Sequence, residues 1–248
     1  MKNILLSLFF TANSLFAGEI NIAVAANVSY AMDELKSEFE KTNPQTKVRV
    51  TLGSSGKLTA QIKNGAPYGI FMSADMNFPQ ALYDEGIATT KPVMYAQGAL
   101  AFLSTQRQDF TQGMKLLKDV KIAKIAIANP KTAPYGTAAV EAMKKSGVYE
   151  EVKEKLVFAE SISQTVSYTV TAAQIGLIAK SSLYSAQMSQ YKENIHWADV
   201  DASLYTPIDQ GVVLLKYAGN SEEYKAFYEF IISDKAKAIF KRYGYIVQ

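Results

Sequence analysis

The chain has 248 residues, 48% of them hydrophobic, with no cysteine, one histidine and a formal net charge of +3. The lack of cysteine excludes disulfides, thiolate metal sites and cysteine nucleophiles. The near balance of charge, with no basic cluster interleaved with aromatics, argues against a nucleic-acid surface. Acids and bases mix instead, as at Lys144, Lys145, Glu150, Glu151, Lys153, Glu154 and Lys155, the pattern of solvated helix faces.

Residues 1–17 read as a secretory signal: Lys2, an apolar run over 4–10 that continues to Phe16, and the small Ala17 before Gly18. Thr11, Asn13 and Ser14 interrupt the run, which is too short to span a bilayer. Cleavage near Ala17 leaves a mature chain of ~230 residues, enough for one domain or two. No later stretch approaches the ~20 apolar residues of a spanning helix. An exported chain without a lipid-bearing cysteine is expected in the periplasm.

Short β-rich runs then alternate with helical periods, which predicts an α/β fold with largely parallel sheets. A strand over 20–26 precedes a helix with Val28, Met32, Leu35 and Phe39 on one face. A strand over 47–52, a loop over 53–56 and a helix carrying Leu58 and Ile62 follow, closed by Asn64 and Gly65. The middle repeats the design: a strand over 124–128, a loop over 129–136, and a helix over 137–145 with Gly147 at its C-terminal cap. Next come a strand over 156–159, a loop over 160–164, a helix presenting Val166, Val170 and Ala173, and a strand over 175–179. Two helices end the chain. Ser221 caps one with the stripe Tyr224, Phe227, Tyr228 and Ile231, and Ser233 caps one with Ala236, Ile239, Phe240 and Tyr243. Such stripes are core packing rather than a cofactor box.

Four loops rich in Ser, Asn, Gly and Thr each stand before a helix. In parallel α/β sheets such loops gather at the carboxyl ends of strands, where ligands bind. Helix starts carry unpaired N–H groups and a partial positive charge, so several that converge hold a dianion without a cationic side chain. The loops hold little charge: Lys57, Lys131 and Glu160. Sulfate, molybdate and tungstate are fully ionised at neutral pH and offer acceptors only, so an all-donor site suits them, whereas protonated phosphate wants a carboxylate to take its proton. Read one loop at a time, Ser54, Ser55 and Ser163 are equally well explained as helix caps.

Catalytic alternatives have less support. The string Gly53-Ser54-Ser55-Gly56-Lys57 fails the phosphate-loop spacing and has Leu58 where Ser or Thr would hold magnesium. It also fails the spacing of a nucleophile elbow. His196, beside Trp197, has no evident partner nucleophile and reads as structural. Asp199 and Asp201, two apart without His or Cys, read as turn chemistry rather than a metal site. An exported enzyme of unrecognised type is the remaining rival to a binding protein.

Several strings carry a resemblance in order along nearly the whole mature chain. They are Ala25-Ala26-Asn27-Val28-Ser29-Tyr30-Ala31-Met32, Gly53-Ser54-Ser55-Gly56-Lys57-Leu58, Gly65-Ala66-Pro67 leading to Ser73-Ala74-Asp75, Asn129-Pro130 with Pro134-Tyr135-Gly136, Glu160-Ser161-Ile162, and Ile239-Phe240-Lys241-Arg242-Tyr243-Gly244. Together they resemble the periplasmic molybdate-binding proteins of ABC importers, and more distantly the sulfate-binding proteins. The resemblance implies a two-lobed fold of the periplasmic-binding-protein type II kind, with mixed, mostly parallel sheets flanked by helices and a ligand cleft between the lobes. On that reading 18–97 and 208–248 form lobe 1 and 98–207 form lobe 2, with crossings near 95–100 and 205–211.

The resemblance also implies a ligand set for molybdate or tungstate. Asn27 contributes a side chain and backbone N–H, Ser55 a hydroxyl and Ile162 a backbone N–H, with Ala26 and Ser54 as further candidates. Some members carry a ligand tyrosine where this chain has Ala179, so the phenol falls to Tyr135 in the third loop. The family's usual Ala-Asp after Gly-Ala-Pro is here Tyr68-Gly69. No catalysis, cofactor, cationic metal or nucleic acid is implied. The implied partner is a membrane permease, and the chain is expected to be a monomer.

Overall fold

Ile20, Ile22 and Val24 point to one side of the first strand, β1 (Gly18–Ala25), and Ala23 to the other, and all four are buried. A strand apolar on both sides belongs in the middle of a covered sheet. In the structure, a computed structural model that describes residues 18–247, β1 is an interior strand, paired along both edges. The secretory signal expected over 1–17 lies outside the described residues.

A 3-10 turn (Ala26–Val28) leads from β1 into α1 (Ser29–Glu40). Then come β2 (Thr46–Gly53), α2 (Ser55–Lys63), β3 (Ile70–Met72) and α3 (Asn77–Asp84). The chain passes through β4 (Val93–Gly98) directly into β5 (Leu100–Leu103). A 3-10 stretch (Phe110–Lys118) precedes β6 (Ile125–Ala128), α4 (Pro134–Lys145), α5 (Tyr149–Val152), β7 (Leu156–Ala159), α6 (Ile162–Thr171) and β8 (Ile175–Ala179). After β9 (Trp197–Asp199) the chain returns through β10 (Ile208–Leu214) and ends in α7 (Glu222–Ile231) and α8 (Asp234–Arg242).

Two five-stranded sheets result, ordered β2-β1-β3-β10-β4 and β7-β6-β8-β5-β9. The strands that head strand–loop–helix units pair in parallel. The antiparallel pairings come from β4, β5, β9 and β10, the strands that carry the chain between the sheets. These were not separable from loop in the sequence because they are short or interrupted by polar residues and glycine; all four residues of β5 are buried, so no alternation remains to read there.

Helices cover both faces of each sheet. Under α1, α7 and α8, Ile20, Ile22 and Val24 meet Leu35, Phe39, Phe227 and Phe240; on the opposite face Ala23 and Phe71 meet Leu58, Ile62 and Leu82. In the second sheet Phe102, Ile125, Ile127 and Leu177 pack under Ala138, Ala142 and Met143 of α4. The expected α6 stripe is packed, with Val166 buried, Val170 against the same cluster and Ala173 buried just past the helix; the buried face also takes in Ile162, Thr165 and Thr169. Thr165 and Thr169 donate back to the carbonyls of Ser161 and Thr165 at 3.1 and 2.8 Å, so each hydroxyl is satisfied locally and its methyl packs as a valine's would.

Parallel register positions the polar loops. Ala25 pairs with Gly53 and Ala128 with Ala159, so the turns after β1 and β2 start side by side, as do those after β6 and β7.

Candidate functional site

Ala26, Asn27, Ser54, Ser55, Tyr135 and Ile162 all line one cavity, together with Ala25, Gly53, Ala74, Ala133 and Pro134. It lies at the carboxyl ends of strands from both sheets and is small, with a cavity volume of only about 10 Å³, far below the roughly 300–1,000 Å³ of pockets for larger organic ligands. None of the six is more than 4% exposed. Four helix starts meet here: the 3-10 turn leading into α1, and α2, α4 and α6. The third loop is shorter than expected, because Pro134 opens α4 at its first helical position, where a proline's missing N–H costs nothing. Tyr135 therefore stands in the first turn of α4. Gly136 permits this, since a Cβ there would lie 2.2 Å from the Ala128 carbonyl oxygen.

The hydrogen bonds behind the cavity decide which way its hydroxyls point. The backbone N–H of Ala74 donates to Ser55 Oγ at 2.9 Å, and Gln210 Nε2 donates to Tyr135 Oη at 3.1 Å. Each oxygen already accepts a bond, so its own proton remains to be given. Burial pushes the Tyr135 phenol well above its usual range, which keeps that proton in place. Ser54 holds the N-cap position of α2 but makes no cap bond, and its Oγ is buried without any partner. Capping is therefore not what Ser54 and Ser55 do. At α6 the cap is Ser161, which accepts from the Gln164 N–H at 3.3 Å; Ser163 only meets the Ser161 hydroxyl.

Asn27 is arranged differently. Its Nδ2 donates to Gln210 Oε1 at 2.8 Å and to Tyr245 Oη at 2.9 Å, so the side-chain N–H groups expected for a ligand are engaged elsewhere. What Asn27 keeps is a backbone N–H at the start of a turn and an Oδ1 that is buried without a partner.

Formal charge stays outside. Lys57 and Glu160, which flank two of the loops, pair with each other across the cleft, and both are more than half exposed. Near them the Gly56 N–H donates to the Thr132 carbonyl at 2.9 Å, a direct bond from the start of α2 to the loop before α4. The unpaired Ser54 hydroxyl and the free protons of Ser55 and Tyr135 are what an anion's acceptors would satisfy, whereas Asn27 Oδ1, itself an acceptor, is not.

The residues that sequence reasoning missed are Gln210 and Tyr245. Gln210 is a fully buried amide on β10, and its place beside Asp209, just before the apolar Val212, Val213 and Leu214, is the signal that marks it. His196 accepts the Lys192 N–H through Nδ1 at 3.0 Å, a local contact, and is not part of the cavity lining. Asp199 pairs with Lys180, and Asp201 caps a short turn by accepting the Ser203 N–H at 2.9 Å. Among the described residues no group of three or more His, Cys, Asp or Glu side chains is placed to hold a metal ion, and no helix is long and apolar enough to cross a membrane.

Comparison with known proteins fits this geometry. A family model described as bacterial extracellular solute-binding protein matches residues 20–246. The molybdate-binding protein ModA of Rhodobacter capsulatus is 36% identical over 234 residues, 94% of this chain and 90% of that protein. ModA of Azotobacter vinelandii is 35% identical over 235 residues, 94% of this chain and 91% of that protein. The solved structure of the Azotobacter vinelandii periplasmic molybdate-binding protein matches with a TM-score of 0.84 at 31% identity, covering 92% of this chain and 99% of that one. The sulfate-binding protein SubI from Mycobacterium tuberculosis shares the fold, with a TM-score of 0.75 at 11% identity over 92% of this chain and 86% of that one. With a match from end to end of the described fold, and relatives above 30% identity over nearly their whole length, the chain belongs to the bacterial extracellular solute-binding protein family.

Proposed function

We propose that this protein captures molybdate, and tungstate in the same way, as the periplasmic solute-binding component of an ABC importer. The observation that carries the reading is the direction of the hydroxyls: Ser55 and Tyr135 each accept a bond from behind and have a proton left for the cavity, and Ser54 has no partner at all. A fully ionised tetrahedral oxyanion, all acceptor, complements that wall. Ile162, Ala26 and Asn27 add backbone N–H groups from helix and turn starts. The named relatives support molybdate within this class.

On this reading 18–97 with 208–248 and 98–207 are two lobes that close over the ion, since only the closed form offers donors from both. A monomer loaded in this way passes its ion to a membrane permease, and no bond is made or broken.

A melting series with molybdate, tungstate, sulfate and phosphate tests the proposal. At a hundredfold excess over the dissociation constant, molybdate should add about 2.7 kcal/mol of stability. No shift with any of the first three would overturn the oxyanion reading. A second reading rests on Asn27 Oδ1, a buried acceptor that a proton-bearing ligand such as hydrogenphosphate would fill. A response to phosphate with none to molybdate would favour it.

A further inference from the structure

Gln210 sits on β10, one of the strands that carry the chain between the two sheets; it is fully buried and does not line the cavity. Its amide nevertheless touches a candidate ligand residue from each sheet, Asn27 through Oε1 and Tyr135 through Nε2. Tyr95 on β4 donates to the same Oε1 at 2.8 Å. The register between β10 and β4 shifts at Gln210 and Gly211, a bulge of the kind that re-aims side chains beside binding sites. Across β4, Gly98 leaves the needed space: a Cβ there would lie 2.0 Å from Tyr135 Oη and 2.6 Å from Gln210 Nε2.

The directions of these bonds follow from one another. Tyr245 Oη gives its proton to the Asn27 carbonyl at 2.8 Å, so it must accept from Asn27 Nδ2. The other Nδ2 proton then points at Gln210, which has to present Oε1. That leaves Nε2 facing Tyr135, whose oxygen accepts and whose proton is free for the cavity. The chain runs from the C-terminal end of the molecule to a helix start on the other sheet.

We propose that Gln210 is a positioning residue that aims the Tyr135 hydroxyl proton at the bound anion and couples it to Asn27 across the two sheets. The inference rests on the oxyanion reading above. Gln210 acts through Tyr135 and does not touch the ligand, so its loss weakens binding only while Tyr135 has a hydroxyl to aim.

The titratable groups facing Gln210 are the phenols of Tyr95 on β4, Tyr135 on α4 and, through Asn27, Tyr245 after α8; burial pushes all three up. No carboxylate or ammonium is among its hydrogen-bond partners, and the neighbouring Asp209 carboxylate instead accepts from Gln97 Nε2 at 2.6 Å. A Gln210→Glu carboxyl would therefore sit among neutral groups and hold its proton to unusually high pH. Protonated, it donates to Tyr135 as Nε2 does; ionised, it turns the phenol away from the cavity and repels the anion.

Molybdate titrations of the whole protein from roughly pH 6 to 9 test this. The wild type should bind with little change across the range, whereas Gln210→Glu should lose about a hundredfold at the upper end and recover toward the lower. Gln210→Met, uncharged and of similar length, should weaken binding about tenfold in the native background and not at all in Tyr135→Phe. A pH-independent Gln210→Glu with native affinity, or an equal Gln210→Met loss in both backgrounds, would overturn the proposal. If Gln210→Glu does not fold, the Gln210→Met cycle decides alone. A wild type that ignores molybdate, tungstate and sulfate alike removes the oxyanion reading itself, whereas a normal wild type with indifferent variants removes only the role of Gln210.

Discussion

Ser54 before α2 and Ser221 before α7 both hold an extended backbone at the N-cap position, with ψ of 147° and 124°. Ser221 Oγ accepts the Tyr224 N–H at 3.3 Å and closes the first turn of its own helix. Ser54 Oγ makes no such bond and is buried with no partner. At the end of the chain, where α7 and α8 pack as structure, the helix starts are self-sufficient; Ser233 caps α8 in the same way. At the cavity the start of α2 is left open, although an unpaired buried hydroxyl costs about 1–3 kcal/mol. On the proposed function, the difference separates a helix start that is finished by the protein from one that is finished by a guest.

Charge breaks this comparison most severely. Ser55→Asp should cut molybdate affinity by about a hundredfold or more, because a buried carboxylate faces the anion. The fold should survive, since an acid in the first turn suits the helix dipole. Calorimetry against a melting curve separates the two effects, and native affinity in Ser55→Asp would show that the anion lies elsewhere.

The serine pair sharpens the contrast. Ser54→Ala should weaken binding about fivefold to tenfold while leaving the ligand-free melting temperature unchanged or slightly raised, because it deletes an unpaired group. Ser221→Ala should do the reverse, with about 1 kcal/mol of stability lost and affinity intact. Equal behaviour of the two variants would erase the distinction between the helix starts. The smallest effect belongs to the rim. Lys57→Ala removes an exposed pair with Glu160 and should change affinity by less than about twofold at moderate salt. A loss larger than that of Ser54→Ala would mean that a cation, not neutral donors, holds the ligand.

Much of the fold was readable before any coordinates. The alternation around Ile20, Ile22 and Val24 and the stripe of Met32, Leu35 and Phe39 each repeat at the period of one element, and local periodicity survives in the sequence. The threonine face of α6 was hidden because a satisfied threonine packs as an apolar residue while reading as a polar one. The connecting strand β5 was hidden because burial on both sides removes alternation, and β4 and β10 because polar residues and glycine interrupt their apolar runs. The four polar loops stood out as candidates, yet whether their serines cap or bind was open. That choice depends on where each hydroxyl finds a partner, and Ala74, the partner of Ser55, arrives from the loop after β3.

The amino-acid order on its own determined the strand–loop–helix units, the scarcity of charge in the loops and the resemblance to oxyanion-binding proteins, because each is written in residues near one another along the chain. The tertiary structure alone decided which protons face the cavity. Gln210 and Tyr135 are 75 residues apart, and Asn27 and Tyr245 are 218 apart. A hydrogen bond's direction depends on every other bond its two partners make, so it exists only once the sheets have brought those distant groups together.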